Sequence, residues 1–242
     1  MRVTNRQLSR DKFLSWCAQL QVGCVVAMEG FGVAHHWAGK ISAYGLNAKI
    51  IAAHLVAPCR LQGKGGKNDA NGAAAICEAA SRPNMRSVPI KTTAQQGMLC
   101  VHRLREGLKE DRTAYINRIR GMLAEFGLVV SQSPEKLRQR LKQMLKDASN
   151  DLCGLVRLVI EEAYRHWKQL EERIEWCDQR INAHIKDDAQ TKAATDLMSM
   201  GPITASAVVA TVGDFKQLKN GAQFGAWLGL TPRQTQAVAR TA

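Results

Sequence analysis

The sequence predicts an α/β domain followed by α structure: a sheet domain, a long antiparallel helical middle and a small helical C-terminal domain. Three observations predict this. A β-branched apolar run, an amphipathic helix and a second short apolar run follow one another near the N-terminus, which is the order of a parallel βαβ unit. Two long stretches, Ala94 to Phe126 and Leu152 to Ile185, repeat apolar residues at helical spacing. A glycine turn and a small-residue helix then open a segment of different character near residue 200. The domain boundaries fall at 1–92, 93–187 and 188–242.

Leu8 to Leu20 reads as a short amphipathic helix. Val22-Gly23-Cys24-Val25-Val26-Ala27-Met28 is continuously apolar and reads as a strand buried on both faces. Glu29-Gly30 ends it, Val33 to Tyr44 is helical, and Lys49-Ile50-Ile51-Ala52 is the second strand. His35 and His36 point about 100° apart on a helix, so they form a surface pair and not a metal clamp. The loop from Cys59 to Lys67 is basic and glycine-rich. It lacks the glycine spacing and the hydroxyl residue of a P-loop, since Asn68 stands in that place. It is either a phosphate-contacting loop or a plain connection. Asp69 to Ala80 is alanine-rich and helical, and Arg82-Pro83-Asn84 breaks it.

In the middle region the expected stripes are Leu99, His102, Leu104, Leu108, Tyr115, Ile119, Met122 and Leu123, then Leu155, Leu158, Val159, Ala163, Trp167, Leu170, Ile174, Cys177 and Ile181. Gly127 ends the first long helix and Leu137 to Leu145 forms a helix between the two. The pair suggests a coiled-coil arm, either a dimer interface or a spacer. Gly201-Pro202 opens the last small-residue helix, with Pro202 at its first position. This resembles the second half of a helix-hairpin-helix, whose amides near Gly201 and Thr204 hold a DNA phosphate, or else it is a packed helical pair. Phe224, Trp227, Leu228 and Leu230 are assigned to the core.

The chain has 242 residues, with 34 Lys and Arg against 21 Asp and Glu, a net charge of +13. The excess is concentrated. Residues 1–105 hold 14 basic and 4 acidic side chains, a net of +10, against +3 for the remainder. Such a balance points to a polyanion, nucleic acid first. The plain alternative is charge for solubility. No run reaches the roughly 18 apolar residues of a membrane span, and no secretory leader is apparent. Seven cysteines without a C-x-x-C spacing fit reduced thiols in the cytoplasm better than disulfides or zinc.

Metal-dependent phosphodiester chemistry needs clustered carboxylates. The basic half contains only Asp11, Glu29, Asp69 and Glu78. Glu29 stands at the C-terminal end of a strand, where open α/β sheets place ligands. Asp69 opens a helix behind the basic loop. These two are the candidate catalytic and metal-binding residues, each with a plainer role as a strand-end acid or an N-cap. Arg60, Lys64, Lys67, Arg82, Arg86 and Lys91 surround Asp69 in sequence and are candidate phosphate contacts.

Ordered blocks along the chain carry a resemblance. They are Val25-Val26-Ala27-Met28-Glu29-Gly30, Lys67-Asn68-Asp69-Ala70-Asn71, Ala75 to Arg86, Arg118 to Gly127, Gly201-Pro202-Ile203-Thr204-Ala205 and Phe224 to Gln234. Together they resemble the insertion-sequence transposases of the IS110 type. The resemblance implies an N-terminal RuvC-like, RNase H-type domain with an acidic DEDD tetrad, a coiled-coil middle and a C-terminal domain with a nucleophilic serine. It also implies Mg²⁺, binding to element DNA and a structured guide RNA, and oligomers, here through the long helices. Glu29 matches the tetrad glutamate and Asp69 its third acid. Gly72 stands where the fourth acid is expected, and Ala74 replaces a neighbouring acidic position. The first aspartate is expected on a strand ahead of Leu8, and residues 235–242 contain neither Ser nor Gly, so truncation at both ends and an out-of-frame tail are expected. With two of four acids and the serine absent, the expectation is a transposase by descent that is catalytically defective. The alternative is a nucleic-acid-binding or oligomerising remnant that interferes with intact transposase.

Overall fold

A computed structural model describes residue 6 and residues 8–60, 68–197 and 200–230. The chain divides into two compact units. One comprises Met1–Lys91 with Val212–Ala242, and the other Thr92–Thr211.

The first unit opens with α1 (Arg10–Cys17), β1 (Val25–Glu29), α2 (Ala34–Ser42) and β2 (Asn47–Ile51). β1 and β2 are parallel, with Glu29 opposite Ile51, so the expected βαβ unit is present. Its side chains sort by the two-residue period of a strand. Ile50 joins Ala34 and Ala38 of α2. Its neighbour Ile51 faces the other way, onto Val56 of α3 (Ala53–Val56) and Ala75 and Ala79 of α4 (Asp69–Ser81). Helices therefore cover both faces. Among the described residues the sheet has three strands, in the order β1-β2-β3, with β1 at one end. Val25 is accordingly 48% exposed, and the expectation of a strand buried on both faces is corrected. A short apolar run cannot by itself distinguish an inner strand from an edge strand. β3 (Ser87–Val88) pairs antiparallel with the end of β2, and its two residues gave no periodic signal.

The second unit is helical: α5 (Thr93–Ala124), α6 (Pro134–Lys146), α7 (Gly154–Asp187), α8 (Ala189–Thr195) and α9 (Pro202–Val212). Thr92 and Gln95 form a capping box at the start of α5. Gly127 ends it at φ +71°, and Leu128 N–H donates to Leu123 C=O at 3.0 Å. That is the six-to-one bond of a Schellman ending. α5 and α7 run antiparallel. Met98 packs with Ile181, Leu108 with Leu170, Ile174 and Cys177, and Ile119 and Leu123 with Ile160 and Trp167. Arg105 and Asp178 pair at 2.5 Å beside the seam. The apolar stripe of α7 differs from the expected one at its start. Val156 and Ile160 face the core, whereas Leu155, Leu158 and Val159 are 71%, 65% and 47% exposed. Both sets follow helical spacing, and only the position of α6 and its Leu137 and Leu141 decides which is covered.

After α9 the chain rejoins the first unit, ending among the described residues with α10 (Gly221–Trp227), capped by Asn220. No described helix is long and apolar enough to cross a membrane.

Candidate functional site

The parallel pairing of β1 and β2 brings Glu29 to the C-terminal end of the strands, beside Ile51. Gly30 N–H then donates to Ile51 C=O at 2.7 Å, holding the chain as it leaves the sheet. Behind β2, α3 and a short 3-10 turn, Ala57–Cys59, return the chain so that Arg60 reaches back. Its Nη2 lies 2.7 Å from both carboxylate oxygens of Glu29. The Glu29 side chain is 26% exposed and that of Arg60 48%. An ion pair this open contributes up to about 1 kcal/mol to stability. Its chemical effect is larger: a cation already neutralises the carboxylate.

Asp69 is the first residue of α4 and is exposed. The cap is Asn68, whose Oδ1 accepts from Asn71 N–H at 2.8 Å, so the N-cap role considered for Asp69 belongs to its neighbour. Asp69 lies in the first turn, where a negative charge favours the helix dipole. Gly72 follows three residues later on the same face, and a Cβ added there meets nothing within 4 Å. Room for a side chain exists, and the carboxylate does not. Among the described residues, no three His, Cys, Asp or Glu side chains gather where they could hold one metal ion.

The candidate phosphate contacts divide by what they touch. Arg60 is paired as above. Lys64 and Lys67 lie outside the described residues. Arg82 pairs with Glu78, one helical turn away, at 2.6 Å. Lys91 N–H donates to His35 Nδ1, and its Nζ stands 3.3 Å from His35 Nε2. His35 is therefore half-buried and engaged, and the surface-pair assignment is corrected for it; His36 is exposed. Arg86 is exposed. Gly201 and Thr204 sit on the open side of the first turn of α9, while Ala205, Ser206, Val209 and Ala210 form its buried side.

A groove of about 800 Å³ on the first unit gathers Arg82 and Arg86 with His54, Lys219 and Trp227. The sequence reading missed the last three. The core placement expected for Trp227, Leu228 and Leu230 is corrected: they are 43%, 38% and 73% exposed. Nothing local separates an open indole from a packed one, and Lys219 lies far along the chain from Arg86.

Two family models match this chain. One, described as "Transposase" of the DEDD, IS110 type, covers residues 1–127. The other, described as "Transposase IS116/IS110/IS902 family", covers residues 192–239.

The chain belongs to the IS110 family of insertion-sequence transposases.

Curated relatives agree. A "Probable family 20 transposase" of Pseudomonas aeruginosa is 40% identical over 233 residues, 96% of this chain and 68% of the relative. The "Transposase for insertion sequence element IS1111A" of Coxiella burnetii is 34% identical over 96% of this chain and 63% of its own length. The transposase of element IS1328 of Yersinia enterocolitica is 33% identical over 94% and 65%. The chain thus spans 63–68% of the length of these three relatives.

The transposase family implies DNA as partner, and its DEDD domain implies a divalent metal. The described residues of this member do not fit that metal. Glu29 already has both oxygens on a guanidinium, Gly72 offers no donor, and no third ligand converges. A hard divalent cation takes six or more oxygen donors and binds through clustered carboxylates.

Proposed function

We propose that this transposase-family chain binds nucleic acid and does not by itself cut or join strands. The observation that carries the reading is the Glu29 carboxylate held by Arg60 at 2.7 Å, with no further ligand gathered around it among the described residues. Two-metal phosphodiester chemistry demands the opposite arrangement, carboxylates left open to cations. The excess of positive charge in residues 1–105 supports polyanion binding. Family membership supplies the identity of the polyanion: element and target DNA, with a structured guide RNA as the finer expectation.

The finer fold assignment is part of the same proposal. A parallel β1-α2-β2 unit with an acid at its strand end supports a RuvC-like, RNase H-type domain. The antiparallel α5–α7 pair supports a coiled-coil arm, through which copies associate. Gly201 ahead of Pro202 at the first position of α9 supports a helix-hairpin-helix-like element. Segments 1–92, 93–187 and 188–242 are the corresponding functional regions. Seven free cysteines suit a reducing cytoplasm. Mixed oligomers with an intact transposase, formed through the long helices, are the second role, favoured by the exposed Leu155, Leu158 and Val159 on α7.

A strand-cleavage and strand-transfer assay with purified chain, element-end DNA and Mg²⁺ tests the first claim. No product is expected, and product from this chain alone refutes the reading. Binding measured across a salt series tests the second. The expected log–log slope is about −0.9 per phosphate neutralised, and affinity indifferent to salt refutes nucleic-acid binding by charge.

A further inference from the structure

The groove on the first unit is not part of the Glu29–Asp69 pair and none of its lining residues is acidic. Arg82, Arg86 and Lys219 supply positive charge and His54 a ring that donates or accepts. Arg82 spends one nitrogen on Glu78, and a guanidinium carries five N–H donors, so the groove retains most of them. Arg86 and Lys219 are exposed and have no ion-pair partner among the described residues. Lys219 is held in place by its own backbone: its N–H donates to Gln223 Oε1 at 2.6 Å, and Gln223 N–H donates to Asn220 Oδ1 at 2.9 Å.

Beside these cations stands Trp227. Its ring lies nearly parallel to Phe224, at 14° and 6.3 Å between centroids, and this contact orients the indole. The residue is 43% exposed. Trp16 and Trp176 are also open, at 37% and 49%, and Trp227 is the tryptophan that lines this groove with Arg82, Arg86 and Lys219. A cationic lining without carboxylates repels cations, and the side chains that make a peptide acidic, Asp and Glu, carry no aromatic face to stack on an indole. A polynucleotide offers both a phosphate for the cations and a base for the ring. A duplex hides its base faces in the stack, so only an unpaired nucleotide presents one.

We propose that this groove binds an unpaired stretch of a nucleic-acid strand, with one base stacked on Trp227 and the adjoining phosphates on Arg86, Lys219 and Arg82. The proposal rests on the nucleic-acid-binding reading above and gives it a location and a strand state. Phosphate and base are common to DNA and RNA, and the experiment separates the two.

The test uses the full chain with fluorescent 12-nucleotide oligodeoxythymidine and oligouridine probes and a duplex of the same length, read by anisotropy. Trp227→Leu is expected to weaken single-strand binding roughly 5- to 150-fold, the range for losing one stacked base. Trp227→Phe keeps a π face and should retain most of the affinity, which separates stacking from collapse of the site. Arg86→Gln and Lys219→Gln should each reduce the salt slope by about one. A 5-iodouracil probe should crosslink to Trp227, located by mass spectrometry. The stronger of the two probes identifies the strand type, and either result supports the groove. If Trp227→Leu and Trp227→Phe bind both probes within twofold of wild type and the crosslink lies elsewhere, the proposal fails, while salt-dependent duplex binding would leave the broader reading standing. If wild type binds none of the probes at low salt, the broader reading fails with it.

Discussion

Arg157 is the side chain on which the α6–α7 connection closes, and its truncation gives a sharp test of how the second unit is held. Its Nε donates to Leu152 C=O at 2.9 Å, Nη1 to Met144 and Leu145 C=O at 3.1 and 2.8 Å, and Nη2 to Asp147 C=O at 2.8 Å and Asn150 Oδ1 at 2.5 Å. Three of these carbonyls belong to the last turn of α6 and the residue after it, where carbonyls lack helical partners. Arg157→Ala leaves the partly buried carbonyls of Met144, Leu145 and Leu152 without the guanidinium. At about 1 kcal/mol each, with up to about 1 kcal/mol more for a cation at a helix C-terminus, the loss is about 3–4 kcal/mol. For a unit of this size that lowers the melting midpoint by about 10 °C. Arg157→Lys keeps the charge but not the planar fork and should recover less than half of the loss. Calorimetry reads the midpoint, and amide exchange over residues 144–152 reads the loop, where protection should fall before the α5–α7 seam opens. A midpoint within about 1 °C of wild type and unchanged exchange in this loop would refute the assignment.

Two further predictions concern other elements. Gly72→Ala should stabilise α4 by about 1 kcal/mol, because glycine is costly inside a helix and the new Cβ meets nothing within 4 Å; thermal unfolding that shows no gain would contradict the open geometry. His102 is half-buried with Nε2 3.0 Å from Ser206 Oγ, and burial first, then Arg105 and His184, holds its pKa below the ordinary histidine value. The unfolded chain therefore binds the proton more readily. The neutral ring's contribution is fully present above about pH 6.5 and is lost as the pH falls through the lowered folded value. Asp188 also faces this region, but its lowered carboxylate pKa moves stability only in the more acidic range. Unfolding midpoints from about pH 7.5 to 5 should decline in wild type and decline less in His102→Gln; equal slopes would remove His102 as the cause.

Much of the framework was legible in the sequence. The end of α5 at Gly127, the start of α9 at Pro202 and the βαβ order all follow from local sterics, capping and short-range periodicity. The ordered motif blocks were sufficient to reach the transposase family, which the family models at 1–127 and 192–239 show. The stripe of α7 was legible from Trp167 to Ile181, where Leu170, Ile174 and Cys177 keep one face and Trp176, 49% exposed, is the large apolar residue off it. At Leu155 to Ile160 several faces are apolar, and periodicity there cannot choose among them.

By itself the sequence determined the α/β-then-α order, the helix ends, the family and the scarcity of acids in a basic N-terminal half. Only the tertiary structure decided that Arg60 closes on Glu29, that Asn68 and not Asp69 caps α4, and that Trp227 stands open beside Arg86 and Lys219. The physical reason is range. Caps and periods are set within a few residues by backbone geometry, whereas a charge 31 residues from its partner, or an indole from the far end of the chain, is placed by how packed layers return the backbone.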